Sequence, residues 1–172
     1  QLGCRLPVQA IFSAPTIEKL AIQAQTQAQS ASRLIPLQPR GRQSPVFCWP
    51  GLGGYCMNLR TLARETQRPF FGIQASGINP GEQIDGTIKA MAARDIGLIK
   101  QQQPHGPYTL WGYSFGARVA FEAAWQLEQA GETVNALVLI APGSPKVRQQ
   151  QAALHSREAR YDNPAYLTIL FS

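Results

Sequence analysis

The sequence lacks the features that mark several classes of protein. A membrane-spanning helix needs about 20 apolar residues. The apolar runs of this chain, such as residues 136–141, are far shorter. The N-terminus has no basic start followed by an apolar stretch, as a secretory signal has. The three cysteines, Cys4, Cys48 and Cys56, form no CxxC pair. We therefore expect no membrane partner, no disulfide framework, no metal site and a cytoplasmic location.

Acidic residues are also few. Ten Asp and Glu residues stand against sixteen Lys and Arg residues, which gives a formal net charge of +6. The basic residues are spread singly along the chain, as at Arg33, Arg60, Arg94 and Arg148. A nucleic-acid site would need them gathered into a patch with exposed aromatic rings. The charge therefore indicates a basic surface with no nucleic-acid partner, and it favours an acidic protein partner.

The remaining composition is that of a globular protein. The chain has 172 residues, of which 44% are hydrophobic, and its 15 glycines and 13 prolines are scattered. This length suits one domain, or one domain with a fragment of another. A disordered or collagen-like chain is excluded.

The first residues predict a single amphipathic helix. Pro15 suits a first helical turn and Glu18 suits a helix N-terminus. Apolar side chains then follow the helical repeat, at Ile17, Leu20, Ala21, Ala24 and Ala28. One such helix cannot bury its apolar stripe alone. We therefore divide the chain into three parts. Residues 1–28 form a helical segment, and the other helices of its bundle would lie upstream. Residues 29–44 form a Gln-, Pro- and Arg-rich linker with a short strand near residues 34–37, and residues 45–172 form the main domain.

The main domain alternates apolar strands with helices. Strands are predicted at 45–49, 70–73, 108–113 and 134–140, and helices around 59–63, 88–99 and 117–130. Asp85 and Thr87 are candidate N-caps of the second helix. Strands that are apolar throughout and separated by helices form parallel sheets covered on both faces. The predicted fold class is therefore α/β, with a mostly parallel sheet and helices on both faces.

One motif carries chemistry. Gly112-Tyr113-Ser114-Phe115-Gly116 is G-x-S-x-G, and it lies between a predicted strand and a predicted helix, which is the setting of a nucleophile elbow. The sharp turn would hold Ser114 in a strained conformation with Oγ exposed above the sheet. Glycine would be required at positions 112 and 116, Gly112 and Gly116, because the strand and the helix pass too close together for a side chain. We predict Ser114 as the catalytic nucleophile.

A second segment supports this interpretation. Pro50-Gly51-Leu52-Gly53-Gly54, the glycine loop, follows the first strand of the main domain. In such sheets this loop supplies a backbone N–H beside that of the residue after the nucleophile. We therefore predict Phe115 and Gly51 as oxyanion-hole donors, with Leu52 as the alternative to Gly51. A phosphate-binding loop is disfavoured, because neither G-x-G-x-x-G nor GK[ST] is matched.

The general base that a serine nucleophile needs is not evident. The chain has two histidines, His105 and His155. His105 precedes the strand that ends at Ser114, so it belongs at the opposite edge of the sheet. His155 lies in a polar segment and is expected to be a solvated surface residue. We identify neither the histidine nor the acid of a triad in this chain.

Three stretches resemble the thioesterase domain that ends nonribosomal peptide and polyketide synthetases, a branch of the α/β-hydrolase superfamily. They are the elbow Gly-Tyr-Ser-Phe-Gly, the Gln-Pro-His-Gly-Pro-Tyr of residues 103–108 and the Trp-Pro-Gly-Leu-Gly-Gly of residues 49–54. Residues 12–21 resemble the last helix of the preceding carrier domain, and residues 112–122 are similar to the thioesterases of siderophore-type synthetases. The resemblance covers essentially the whole chain.

The resemblance implies a release reaction at the end of an assembly line. A carrier domain of the same synthetase would deliver an acyl or peptidyl thioester on its phosphopantetheine arm, with no cofactor bound by the thioesterase itself. Ser114 would take the acyl group, and water or an internal nucleophile would release it as an acid or a ring. Residues 146–172 would form a mobile lid over the acyl channel.

The chain also departs from the family pattern. The family places an aspartate just after the strand that corresponds to 134–140, where this sequence has Ala-Pro-Gly-Ser-Pro. Asp162 lies too deep in the predicted lid to be assigned, and Ser13 is not the carrier's phosphopantetheine site. We therefore expect a domain truncated at its C-terminus, with little or no activity as it stands. A free-standing esterase or acyltransferase and a non-catalytic carrier-docking module are the alternative functions.

Overall fold

The computed structural model describes residues 14–26, 32–79 and 81–142. The predictions made for Ser13, His155, Asp162 and the lid segment lie outside these residues. In the described part the elements are helix α1 (Ile17–Thr26), strand β1 (Leu34–Gln38), strand β2 (Val46–Trp49), a 3₁₀ turn (Met57–Leu59), helix α2 (Arg60–Glu65), strand β3 (Phe70–Ile73), helix α3 (Ile88–Gln102), strand β4 (Tyr108–Tyr113), helix α4 (Phe115–Gln129) and strand β5 (Val134–Ile140).

The strands form one five-stranded sheet in the order β1-β3-β2-β4-β5. Strands β3, β2, β4 and β5 are parallel, and β1 runs antiparallel to β3. The register places Trp49, the last residue of β2, opposite Gly112 of β4. The carboxyl ends of β2 and β4, which the sequence assigns to the glycine loop and the elbow, therefore meet at one edge of the sheet.

The two faces of the sheet carry separate apolar cores, because side chains alternate along each strand. Phe47, Ile73 and Leu110 pack with α3 and α4 on one face. Val46, Cys48 and Phe70 pack with Leu59 and Ala63, from the 3₁₀ turn and α2, on the other. The helices thus cover both faces, and the predicted fold class is confirmed.

The short strand predicted within the linker takes part in this sheet. Strand β1 pairs with β3, with Leu34 opposite Ile73. Residues 34–38 therefore belong structurally to the main sheet. The division of the chain into carrier segment, linker and thioesterase domain stays a prediction.

Helix α3 begins at one of its two candidate caps. The hydroxyl of Thr87 accepts a hydrogen bond of 3.1 Å from the N–H of Ala90, so Thr87 is the N-cap. Asp85 instead accepts hydrogen bonds from Arg94 and from the hydroxyl of Ser76. Among the described helices, none is long and apolar enough to cross a membrane.

Candidate active site

The turn between β4 and α4 has an unusual backbone conformation at Ser114. Its φ of 52° and ψ of −116° are uncommon for a residue with a Cβ. The turn is held by its backbone, since the N–H of Ser114 donates to the carbonyl of Ile140 at 2.8 Å and the N–H of Ala117 donates to the carbonyl of Ser114 at 3.1 Å. Strain of this kind clusters at functional positions.

The hydroxyl of Ser114 is not used to cap helix α4. Serine is a favoured N-cap because its oxygen can accept from the first free N–H groups of a helix. Ser114 occupies the N-cap position of α4, yet its side chain makes no such hydrogen bond. The residue is half-buried. The structure therefore leaves this hydroxyl available at the start of a helix.

Two glycines allow the strand and the helix to pass this closely. A Cβ on Gly112 would lie 2.5 Å from Cα of Ala117, and a Cβ on Gly116 would overlap the carbonyl oxygens of Trp49 and Pro50. Every one of these neighbours is backbone, so none can rotate away. The predicted steric reason for glycine at both positions agrees with this packing.

The first turn of α4 supplies hydrogen-bond donors. Phe115 is its first residue, and the first four N–H groups of an α-helix have no acceptor within the helix. The helix dipole adds a partial positive charge at the same end. This end of the helix is therefore suited to a developing negative charge beside Ser114.

The glycine loop lies against the elbow. A Cβ on Gly51 would lie 3.3 Å from the Tyr113 ring and 3.4 Å from Cβ of Ser114. Gly51 is buried, whereas Leu52 is exposed. The loop is closed by a hydrogen bond from the N–H of Gly54 to the carbonyl of Gly51 at 3.1 Å. The two segments that the sequence assigned to the oxyanion hole are thus neighbours, while the choice between Gly51 and Leu52 as donor stays a prediction.

A buried charged network lies behind the glycine loop. Asp95 of α3 accepts hydrogen bonds from Arg33 Nη2 at 2.7 Å and from Trp49 Nε1 at 2.8 Å, one on each carboxylate oxygen. The sequence placed Arg33 among surface charges, and this was wrong: Arg33 is only 7% exposed and Asp95 only 3%. The sequence did contain a signal for this network. Asp95 lies three residues after Ala92 and four before Ile99, so this carboxylate falls on the apolar, buried stripe of α3.

Burial raises the pKa of the Asp95 carboxyl above its ordinary value, although the Arg33 charge and the hydrogen bonds from Trp49 and Arg33 act to lower it. The network also borders a cavity of about 260 Å³. The walls of this cavity come from the glycine loop, the end of β3, helix α3 and the start of α4, and include Arg33, Trp49, Met91, Asp95, Phe115 and Val119.

The structure places His105 far from the elbow along the sheet. It lies in the turn before β4, its side chain is 88% exposed, and its Nδ1 is 3.8 Å from Oε1 of Glu132. Position 105 therefore belongs to the opposite edge, as predicted. Within residues 14–26, 32–79 and 81–142, no other histidine occurs, and no group of side chains could hold a metal ion.

The described geometry can therefore support one part of an acyl transfer. A serine hydroxyl on a strained turn, a helix N-terminus and an adjacent glycine loop are the parts that a tetrahedral oxyanion requires. His105, the one histidine among the described residues, lies at the opposite edge of the sheet from the serine. The roles of Ser114, Phe115 and Gly51 remain predictions.

Comparison with known proteins points to one family. The family model described as "Thioesterase domain" matches residues 44–163. The indigoidine synthase of Dickeya dadantii is 65% identical to the chain over an alignment of 174 positions. The alignment covers 99% of the chain and 12% of that protein. The chain thus spans about an eighth of the length of this relative.

The chain also resembles solved structures of synthetases and thioesterase domains. The crystal structure of a four-domain nonribosomal peptide synthetase, holo-AB3403, is 28% identical with a TM-score of 0.64, and the match covers 80% of this chain and 11% of that one. The NocB thioesterase domain of the nocardicin cluster shares the fold, at 24% identity and a TM-score of 0.58, over 81% of this chain and 64% of that one. The finer prediction of a siderophore-type synthetase is tested by none of these.

Proposed function

The chain belongs to the thioesterase domain family, and on this premise we propose that it releases a product from a carrier-bound thioester, with Ser114 as the nucleophile. The observation that carries the proposal is the strained, uncapped serine between β4 and α4. A serine that served only to begin the helix would be expected to accept a capping hydrogen bond in an unstrained conformation.

The proposed acylation step uses groups on both sides of the elbow. Oγ of Ser114 attacks the thioester carbonyl and gives its proton to a base outside the described residues. The N–H of Phe115, at the start of α4, and the N–H of Gly51 stabilise the tetrahedral oxyanion. Collapse of this intermediate breaks the C–S bond and leaves an acyl group on Ser114, and the base passes its proton to the departing sulfur, which leaves as the thiol of the phosphopantetheine arm.

The second step frees the product. Water attacks the acyl-serine to give an acid, or a nucleophile within the acyl group attacks it to give a ring. The same oxyanion donors serve both outcomes, since each passes through a tetrahedral intermediate on the same carbonyl carbon. The described residues favour neither route.

The proposed partner is a carrier domain of the same synthetase. The support is the relationship to proteins several times longer than this chain, including a nonribosomal peptide synthetase. The net charge of +6 suits an acidic partner. The phosphopantetheine arm belongs to that carrier and enters as part of the substrate. A cytoplasmic location is part of the same proposal.

A serine-directed fluorophosphonate tests the proposal in the full-length protein. We expect one adduct, on Ser114, which mass spectrometry of the peptide would locate. Ser114→Ala should abolish it, and Ser44→Ala, a change of the same kind at an exposed position before β2, should leave it intact. An unlabelled wild-type protein, or a label that survives Ser114→Ala, would contradict the proposal.

A further inference from the structure

We infer that Asp95 is a positioning residue for the oxyanion hole, because its carboxylate joins the two ends of the glycine loop. The inference rests on the function proposed above. It concerns Asp95 and Arg33, which lie outside the sequence motifs, and their connection to Trp49. Hydrogen bonds lead from the carboxylate to each end of the loop.

The first connection reaches the start of the loop directly. Oδ2 of Asp95 accepts from the indole N–H of Trp49 at 2.8 Å. Trp49 is the last residue of β2 and immediately precedes the loop, and it is 3% exposed. The indole is a large rigid group, so fixing it limits the directions in which the chain can leave the strand.

The second connection reaches the end of the loop through Arg33. Oδ1 of Asp95 accepts from Nη2 of Arg33 at 2.7 Å, and Nη1 of Arg33 donates to the carbonyl of Gln74 at 2.9 Å. The next residue, Ala75, donates its N–H to the carbonyl of Gly54 at 3.1 Å. Gly54 is the last residue of the loop, so the chain of contacts closes on it.

Apart from the internal hydrogen bond between Gly54 and Gly51, the loop has little conformational restraint of its own. Gly53 and Gly54 both have positive φ angles, 89° and 71°, and glycine has access to more backbone conformations than any other residue. A segment of this kind keeps one shape only when its surroundings hold it. The contacts at both ends provide that restraint.

Only a carboxylate can make this pair of contacts. Both partners of Asp95 are N–H donors, and they use different oxygens. An asparagine has one acceptor and one NH₂ group, so it would set a donor against either Trp49 or Arg33. The contacts are buried, which strengthens each of them and raises the cost of leaving one unmade.

The position of the loop matters because oxyanion stabilisation depends on distance. Catalytic donors must be held within about 0.5 Å of their productive position. Gly51, the predicted donor, lies two residues after Trp49. A loop released at either end would spend part of its time with its N–H away from the oxyanion.

The experiment measures the rate at which a fluorophosphonate modifies Ser114 in the full-length protein, because this reaction also develops negative charge on an oxygen beside the elbow. The variants are Trp49→Phe, which removes the N–H and keeps an aromatic ring, and Asp95→Asn. The control is Tyr108→Phe, which removes a hydroxyl that donates to Gln103 and Pro104 carbonyls at the opposite edge of the sheet. The melting temperature of each variant is measured alongside.

We expect Trp49→Phe and Asp95→Asn each to slow the modification by about tenfold or more at temperatures where both are folded. The double variant should slow the modification by less than the product of the two single effects, since both changes act on the same network of contacts around Asp95. Tyr108→Phe should stay within about twofold of wild type at temperatures where it is folded, because its contact lies outside the network.

The outcomes separate this inference from the function on which it rests. Failure of the wild-type protein to be modified at Ser114 would overturn the proposed function and the inference with it. Modification at Ser114 with wild-type rates in folded Trp49→Phe would overturn the inference alone. If Asp95→Asn does not fold, Trp49→Phe decides, because it alters no charge.

Discussion

Gly116, in the first turn of helix α4, lies directly against the main-chain carbonyl of Trp49 at the end of strand β2. The contact joins the elbow that carries Ser114 to the strand that leads into the glycine loop. A side chain at position 116 would push these two segments apart. The distance between nucleophile and loop therefore depends on the absence of one methyl group.

Gly116→Ala should accordingly lower the free energy of unfolding by about 1–3 kcal/mol, the usual cost of overpacking. The matched control is Gly97→Ala on helix α3, where an added Cβ would meet nothing within 4 Å. That change should raise the free energy of unfolding by about 0.5–1 kcal/mol, since alanine is the better helix former. Urea denaturation measures both, and equal effects of the two changes would contradict the packing described.

The backbone strain at Ser114 predicts an inverted order of two substitutions. Its φ of 52° costs about 1–3 kcal/mol with any side chain that has a Cβ. Glycine adopts such a conformation without that cost. Ser114→Gly should therefore unfold at a higher temperature than Ser114→Ala, although alanine stabilises most positions relative to glycine. Thermal unfolding of the two variants checks this, and a more stable Ser114→Ala would show that the turn is unstrained.

The raised pKa of Asp95 predicts the direction of one pH effect. Because burial raises this pKa in the folded protein, the folded state binds a proton at pH values where the unfolded chain has released it. Stability from this group is therefore fully present below the ordinary pKa, and it is lost as the pH rises through the folded pKa. Wild-type protein should gain stability relative to Asp95→Asn as the pH falls from 7 towards 4. Urea denaturation across that range measures the difference, and a difference that shrinks on acidification would contradict the prediction.

The buried thiols should be unreactive. Burial raises the pKa of Cys48 to about 12, and burial also raises the pKa of Cys56, with smaller contributions from the neighbouring Cys48 and Asp95. The thiolate is the reactive form. Iodoacetamide at pH 8 should leave the peptides that contain Cys48 and Cys56 unmodified in the native protein and modify both in guanidinium chloride. Rapid modification of either in the native state would show that its segment opens readily.

Much of the fold could be predicted because its signals are local. Strand β2 is apolar throughout, strand β4 is apolar apart from Thr109, and helix α4 carries a clear apolar stripe, so period and composition identified both kinds of element. The role of β1 could not be predicted in this way. Its five residues lie in a Pro-, Gln- and Arg-rich stretch, and their place in the sheet depends on pairing with β3, more than thirty residues later.

The candidate site, too, was predicted where its residues are close in sequence and missed where they are far apart. The elbow and the glycine loop were found because each is a contiguous motif whose residues have fixed spacing. The network of Arg33, Trp49 and Asp95 was missed because its members are up to 62 residues apart, and each alone has an ordinary role. A buried ion pair becomes visible only when the fold brings its two halves together.

The antiparallel direction of β1 has a consequence for whatever lies at the N-terminal end of the chain. Since Leu34 pairs with Ile73, the polypeptide enters the sheet at the same edge as Ser114. Only six peptide units separate Thr26, the end of α1, from Ser32, a span of about 21 Å at full extension. If the carrier domain proposed above lies at that end, a flexible tether of this length would hold it near Ser114 at an effective concentration on the order of millimolar. Delivery of the substrate would then require no strong docking surface between the two domains.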